Sequence, residues 1–275
     1  MRLSRLIQGI GRAGANAIRV RLHPGAVPVP PQRLVDRVGR GDYRAVGQGL
    51  LRVAREQGGL HPTDRILDIG CGVGRLAAPL TTYLAGDGCY DGFDIDQELV
   101  QWCQRNISPA HPRFRFRHVN VFSGRYNPAG AISGTGFEFP YRDDAFTFVV
   151  ATSVFTHLLS ADTESYIRQI RRVLAPGGTL LATFFLLNDE SRSLMAGGNA
   201  RYVFPEGPAD RSTAEPHRVL RRDQPACAVA YPEDWVMRLL ADNGLAAPLA
   251  WHPGRWCGRS AGLSDQDVVV ARKPA

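Results

Sequence analysis

The 275-residue sequence predicts an α/β fold, a doubly wound and mostly parallel seven-stranded sheet flanked by helices. Three observations carry that expectation. From residue 64 to 187, strand-like apolar runs alternate with segments of helical period. The run FTFVVA at 146–151 is nearly all apolar, as a strand covered on both faces should be. The run at 65–69 leads into a turn with glycine at alternate positions, Asp68–Ile69–Gly70–Cys71–Gly72–Val73–Gly74.

The elements follow in order. Residues 1–22 carry Arg2, Arg5, Arg12, Arg19 and Arg21 and no acid, with Leu3, Leu6, Ile7, Ile10, Ala17 and Ile18 at helical spacing. This reads as a basic amphipathic helix, suited to an anionic membrane surface or to a homodimer contact. Four prolines make 23–31 an extended linker, and a helix at 43–57 ends at Gly58–Gly59. Strands are expected at 65–69, 89–95, 113–121, 146–151 and 179–187, with helices at 75–84, 97–106 and 162–174 between them. Ile167, Ile170, Val173 and Leu174 share one face of the last helix, and Pro176–Gly177–Gly178 stops it. The stretch 188–230 is rich in Gly, Pro, Arg and Asp and reads as a substrate loop or lid. A helix at 232–243 and strands at 245–251 and 266–272 complete the sheet. The organisation is therefore an N-terminal helical extension and linker (1–60), a ligand-binding core (61–187), a lid-like insertion (188–230) and a closing helix with two strands (231–275).

Composition excludes several classes. The apolar fraction of 44% supports a substantial core. No run reaches the ~20 apolar residues of a membrane span, and the first residues do not read as a secretion signal. Five cysteines (71, 89, 103, 227 and 257) without CxxC spacing argue against a disulfide framework or a zinc ribbon, so a cytoplasmic setting is expected. The net charge of +7 is almost wholly arginine, since Lys273 is the only lysine, and by itself selects no partner.

The glycine turn carries chemistry. Glycine lets the backbone turn sharply and lets a ligand approach where a Cβ would intrude. The helix that follows offers free N–H groups, and ligands of doubly wound sheets sit beyond the carboxyl ends of the strands. The spacing is G-x-G-x-G, not the G-x-G-x-x-G of dinucleotide sites. Asp94, about 24 residues beyond Gly70 at the end of the second strand, is placed to accept from both hydroxyls of a ribose, with Asp96 as the alternative. A nicotinamide site and a turn without a ligand stay open on these residues alone.

With these motifs the sequence resembles the class I S-adenosylmethionine-dependent methyltransferases over roughly residues 40–190, whose core is a Rossmann-like sheet. The resemblance implies that Asp68 and the backbone at Gly70, Cys71 and Gly72 meet the methionine end of S-adenosyl-L-methionine. It implies that Asp94 holds the ribose, that Ile95 packs on adenine, that Asn120 and Val121 flank it, and that Thr152 lies below the sulfonium. Tyr43 is a candidate to close over the cofactor. A narrower likeness rests on 39–49, on 122–130 with Tyr126–Asn127–Pro128, on 153–158 and on 256–259. These segments are similar to bacterial sugar O-methyltransferases, including the mycobacterial enzymes of methylmannose polysaccharide synthesis. The resemblance implies a mannoside-like hydroxyl acceptor in glycan or polysaccharide biosynthesis.

His157, just past the fourth strand, is the candidate general base, with Asp189 and Glu190 as alternatives. Trp251, Trp256, Arg259 and His217 are candidates to line the acceptor pocket. No nucleic acid is expected, because Ala151–Thr152–Ser153–Val154 stands where amino-directed nucleic-acid enzymes carry an Asn/Asp-Pro-Pro-aromatic turn. RNA or small-molecule methylation and a non-catalytic cofactor-binding scaffold are the alternatives. No metal site is indicated, and magnesium stays open.

Overall fold

The structure, a computed structural model, describes residues 26–205, 215–245 and 250–275. The amphipathic helix expected at 1–22 lies outside the described residues. Seven strands form the main sheet: β1 (Arg65–Ile69), β2 (Cys89–Asp94), β3 (Phe114–His118), β4 (Phe146–Ala151), β5 (Leu174–Phe184), β9 (Ala250–His252) and β10 (Asp267–Arg272). Their order is β3-β2-β1-β4-β5-β10-β9. The pairs among β1 to β5 are parallel, while β10 runs antiparallel to both β5 and β9. This is the expected doubly wound, Rossmann-like architecture, and its strand order reverses between β1 and β4. Ligand crevices open at such a switch point.

Side chains alternate across each strand, so the sheet makes two cores. Leu67, Val149, Leu180 and Val269 pack on one face with Ile167, Ile170 and Val173 of α5 (Ser160–Val173). Ile66, Phe148, Val150, Leu181 and Val270 pack on the other with Leu51 and Ala54 of α2 (Tyr43–Glu56) and Leu80 of α3 (Ala77–Tyr83). The helix α4 (Gln97–Asn106) follows β2 and is capped by Asp96, whose carboxylate accepts from the N–H groups of Glu98 and Leu99.

The structure departs from the sequence pattern in four places. A six-residue helix, α1 (Gln32–Arg37), follows the proline linker and buries Leu34 and Val35. The third strand ends at His118; Val121 pairs only as an isolated bridge with Ile132. β5 starts at Leu174, directly after α5, and the irregular register between Phe146 and Phe148 absorbs Pro176–Gly177–Gly178. Finally, 188–230 is not a bare loop. A second sheet of order β6-β8-β7 joins β6 (Leu186–Leu187), β7 (Arg218–Val219) and β8 (Val229–Pro232). Beside it lie α6 (Asp189–Ala196), opened by an Asn188/Ser191 capping box, and α7 (Glu233–Asp242). Phe185, Met195, Phe204, Ala230 and Trp256 give this part its own apolar cluster.

Candidate functional site

The turn after β1 is built by backbone geometry. Gly70 and Gly72 have φ of 70° and 54°, a region that costs any residue with a Cβ. A methyl group at Gly70 would come within 2.8 Å of Val154, and one at Gly72 within 2.8 Å of Val38, which follows α1. The N–H groups of Gly70 and Cys71 both donate to the Phe93 carbonyl, at 2.9 and 3.0 Å, tying the turn to β2. Tyr43, the first residue of α2, is buried and donates to the carbonyls of Val73 (3.2 Å) and Gly74 (3.0 Å). It pins the turn by these two bonds. Burial raises the Cys71 thiol well above its ordinary pKa, so this cysteine serves packing.

Three acids surround the turn. Half-buried Asp94 accepts at 2.8 Å from Gly72 N–H with one oxygen and at 2.8 Å from Asp96 N–H with the other. Burial raises its pKa, and these backbone donors oppose the rise. Each oxygen keeps a second lone pair. Asp96 is committed elsewhere, as the cap of α4 and the ion-pair partner of Arg37 from α1. Asp68 is buried at 3% exposure and accepts from the Tyr90 hydroxyl at 2.6 Å. Its burial pushes the carboxyl up to about 7.

Beyond the ends of β2 and β3 opens a cavity of about 510 Å³, lined in part by Ile95, His118, Asn120, Tyr126, Asn127 and Arg37. His118 is half-exposed here and bonds the Ile95 carbonyl through Nε2 at 3.2 Å. Asn120 is exposed, and its side-chain oxygen accepts from Asn127 Nδ2 at 3.2 Å. Val121 is buried behind it, with its carbonyl accepting from the same Asn127 nitrogen at 3.0 Å.

The chain leaves β4 through a sharp bend. Thr152 is half-buried, and Ser153 takes the left-handed φ of 57°, held by a bond from its N–H to Thr183 Oγ1 at 2.8 Å. Four residues on, His157 Nδ1 lies 2.9 Å from the Ala226 carbonyl. A carbonyl only accepts, so Nδ1 carries the proton and Nε2 keeps a lone pair. The Tyr126 hydroxyl donates to that Nε2 at 3.3 Å. Burial holds the His157 pKa below its usual value, and the charge of Arg125 acts in the same direction.

The other predicted residues are not gathered at this cavity. Trp256 is 1% exposed, donates to Asp267 at 2.7 Å and packs on Phe185 and Phe204, so it is a core residue and not a platform for an acceptor. Arg259 is buried too and joins Asp267 to Glu190, at 3.3 and 3.0 Å. Glu190 is thereby engaged in an ion pair, and exposed Asp189 sits in the first turn of α6, where its charge favours the helix dipole. Trp251 lies on the edge strand β9 and packs against the sheet core. His217 bonds Ser160 Oγ at 3.2 Å and packs on Tyr231, and burial lowers its pKa. Tyr126, which lines the cavity, was not among the predicted site residues; its signal was an aromatic side chain inside a polar Gly/Pro/Asn loop. Among the described residues no group of His, Cys, Asp and Glu is arranged to hold a metal ion.

Residues 67–182 match the family described as a methyltransferase domain. This stretch of the chain is similar to a methyltransferase domain. The match runs from within β1 to within β5 and favours S-adenosylmethionine over a nicotinamide cofactor. The domain's cofactor is S-adenosylmethionine, and the cradle fits it. The cavity beyond β2 and β3 carries an apolar face at Ile95 and an amide at Asn120, a lining that suits a nucleobase. Among relatives, 27-O-demethylrifamycin SV methyltransferase of Amycolatopsis mediterranei is 32% identical over 130 residues, which is 46% of this chain and 41% of that one. The chain thus spans about two fifths of that relative's length. Two solved structures share the fold. A Pyrococcus horikoshii protein, PH0226, has a TM-score of 0.56 at 16% identity, covering 94% of this chain and 99% of its own. The 1,6-didemethyltoxoflavin-N1-methyltransferase of Burkholderia thailandensis, solved with its substrate and S-adenosylhomocysteine, has a TM-score of 0.53 at 14% identity, covering 95% and 89%. Among the described residues no helix is long and apolar enough to cross a membrane.

Proposed function

We propose that the protein is an S-adenosylmethionine-dependent O-methyltransferase that acts on a hydroxyl of a mannoside-like sugar or a similarly hydroxylated small molecule. The observation that carries the oxygen acceptor is the state of His157, whose Nδ1 is tied to a backbone carbonyl while Nε2 keeps its lone pair, just past β4. A hydroxyl is a poor nucleophile until its proton has somewhere to go. The Amycolatopsis relative, named for a substrate lacking a methyl on oxygen, supports the same class. The sugar assignment rests on the sequence likeness in segments 39–49, 122–130, 153–158 and 256–259.

When bound, the cofactor supplies a methyl group on positively charged sulfur, open to in-line displacement. The protein's part is placement. The spare lone pairs of Asp94 would accept from the ribose hydroxyls, Ile95 and Val121 would border the adenine, and Asn120 would meet its polar edge. Cys71 contributes backbone to the turn, and Thr152 with the Ser153 bend would form the floor beneath the reacting centre. Holding acceptor and methyl group in line removes several kcal/mol from the barrier, roughly. His157, kept neutral at pH 7 by its lowered pKa, is the sink for the hydroxyl proton.

Labelled cofactor offered to methyl α-mannoside, p-nitrophenol and total RNA tests this reading. Transfer to a hydroxyl acceptor is expected, and replacing His157 with alanine should cut kcat by about 10²–10⁴-fold while cofactor affinity holds. Transfer to RNA alone would sink the reading. Cofactor binding without any transfer would leave a scaffold.

Asp68 gives a second expectation. The methionine ammonium favours the carboxylate, yet burial sets the carboxyl in the free protein at about 7. Below that pH a proton must leave before the charge pair forms. Affinity for S-adenosylhomocysteine should therefore fall as pH drops from 7.5 to 5.5, with a limit of about tenfold per unit. Calorimetric titration of the wild type against Asp68→Asn checks it, and equal slopes in the two proteins would count against the contact.

A further inference from the structure

We infer that Tyr126 is the group that meets the acceptor hydroxyl, and that it hands the proton on to His157. The inference rests on the O-methyltransferase reading and names a catalytic residue within it. Tyr126 lines the 510 Å³ cavity with Ile95 and Asn120, and His157 is not part of that lining. The Tyr126 ring stands edge-on to the imidazole, with centroids 5.2 Å apart and planes at 83°. Its hydroxyl lies 3.3 Å from Nε2, the ring nitrogen left with a lone pair by the Nδ1 bond to Ala226. The phenol thus occupies the one basic nitrogen of the imidazole, and an acceptor's proton reaches Nε2 through it.

The orientation of the phenol suits a relay. With its proton directed at Nε2, its oxygen turns its lone pairs elsewhere, ready to accept from an incoming hydroxyl. The loop that carries it is fastened to the end of β3: Tyr126 N–H donates to Ser123 Oγ at 3.3 Å, and Asn127 bonds Val121 and Asn120. The Arg125 guanidinium lies over the ring, 5.2 Å from its centre. Burial raises the phenol pKa and Arg125 opposes the rise, which keeps the hydroxyl protonated at rest while a cation stays beside it.

The step balances as follows. The acceptor oxygen forms a bond to the methyl carbon as the carbon–sulfur bond breaks, and the electron pair of that bond stays on sulfur, which becomes a neutral thioether. The acceptor's proton moves to the Tyr126 oxygen while the proton of Tyr126 moves to His157 Nε2. Tyr126 ends neutral, and the His157 imidazolium returns its proton to water after product leaves.

Tyr126→Phe removes the hydroxyl and keeps the ring. Under single-turnover conditions, with methyl α-mannoside or p-nitrophenol (whichever the wild type methylates faster), the relay predicts that the transfer rate falls by about 10²-fold. S-Adenosylhomocysteine affinity should stay within about threefold, which reports that the cradle is intact. In mixtures of light and heavy water, the wild-type rate should bow downward with deuterium content, because two protons move, and the variant's residual rate should fall on a straight line. His157→Ala is the companion. If it is impaired while Tyr126→Phe transfers at the wild-type rate, or if the wild-type plot is linear, the relay is wrong and His157 acts directly. If His157→Ala also keeps full turnover, or the wild type methylates neither hydroxyl, the O-methyltransferase reading falls and the relay with it.

Discussion

Replacing Asp94 with alanine is expected to weaken S-adenosylhomocysteine binding by about a hundredfold or more. The carboxylate does two jobs at once. It anchors the N–H groups of Gly72 and Asp96, each at 2.8 Å, and in the proposed function its remaining lone pairs would serve two ribose hydroxyls. Hydrogen bonds to a charged group are worth about 1.5–3 kcal/mol each, so two of them amount to at least two decades of affinity. Losing the anchor also frees Gly72 from its left-handed position. Asp94→Asn keeps one acceptor and should fall between the two. Calorimetry gives the affinities and circular dichroism checks the fold. A change of less than threefold would move the ribose to another acid. Asp96 is a poor substitute, because it already caps α4 and pairs with Arg37.

Replacing Asp267 with alanine should destabilise the fold by about 3–5 kcal/mol, the usual cost of stranding one member of a buried ion pair. Asp267 is fully buried at the start of β10. It accepts from Leu186 N–H at 2.8 Å, Gly254 N–H at 2.7 Å, the Trp256 indole at 2.7 Å and the Arg259 guanidinium at 3.3 Å. These bonds join the main sheet to β6 and to the 254–259 loop. Without the carboxylate, Arg259 stays buried, and its Nη2 already has no partner among the described residues. At about 2–4 °C per kcal/mol for a chain of this size, the melting temperature should drop by roughly 10 °C. Asp267→Asn, which keeps one oxygen, should lose less. A shift under 2 °C for alanine would show that the network contributes little.

Much of the fold could be read directly. The strand at 146–151 and the helix at 97–106 have the limits expected of them, because each is an apolar or periodic run with a clear stop. The glycine turn was legible because positive φ and close approach leave few residue choices. The second sheet was not, because strands of two residues such as Leu186–Leu187 and Arg218–Val219 carry no period to detect. The same limit hid the roles of Trp256 and Arg259. An aromatic and an arginine near the chain end look alike whether they meet a ligand or a buried aspartate. Asp267, which decides the matter, sits in an apolar strand where only tertiary structure supplies its donors. His157 was singled out from its place after β4. Its partner Tyr126 was not, since the contact joins loops 31 residues apart.

The most direct test of the account is transfer of a labelled methyl group from S-adenosylmethionine by the full chain, run beside Asp94→Ala on the hydroxyl acceptors. The account predicts label on the acceptor with the wild type and, at a cofactor concentration that saturates only the wild type, at least about a hundredfold less with the variant. Equal transfer by both proteins, or cofactor binding by the wild type with no label transferred to any acceptor, would contradict it.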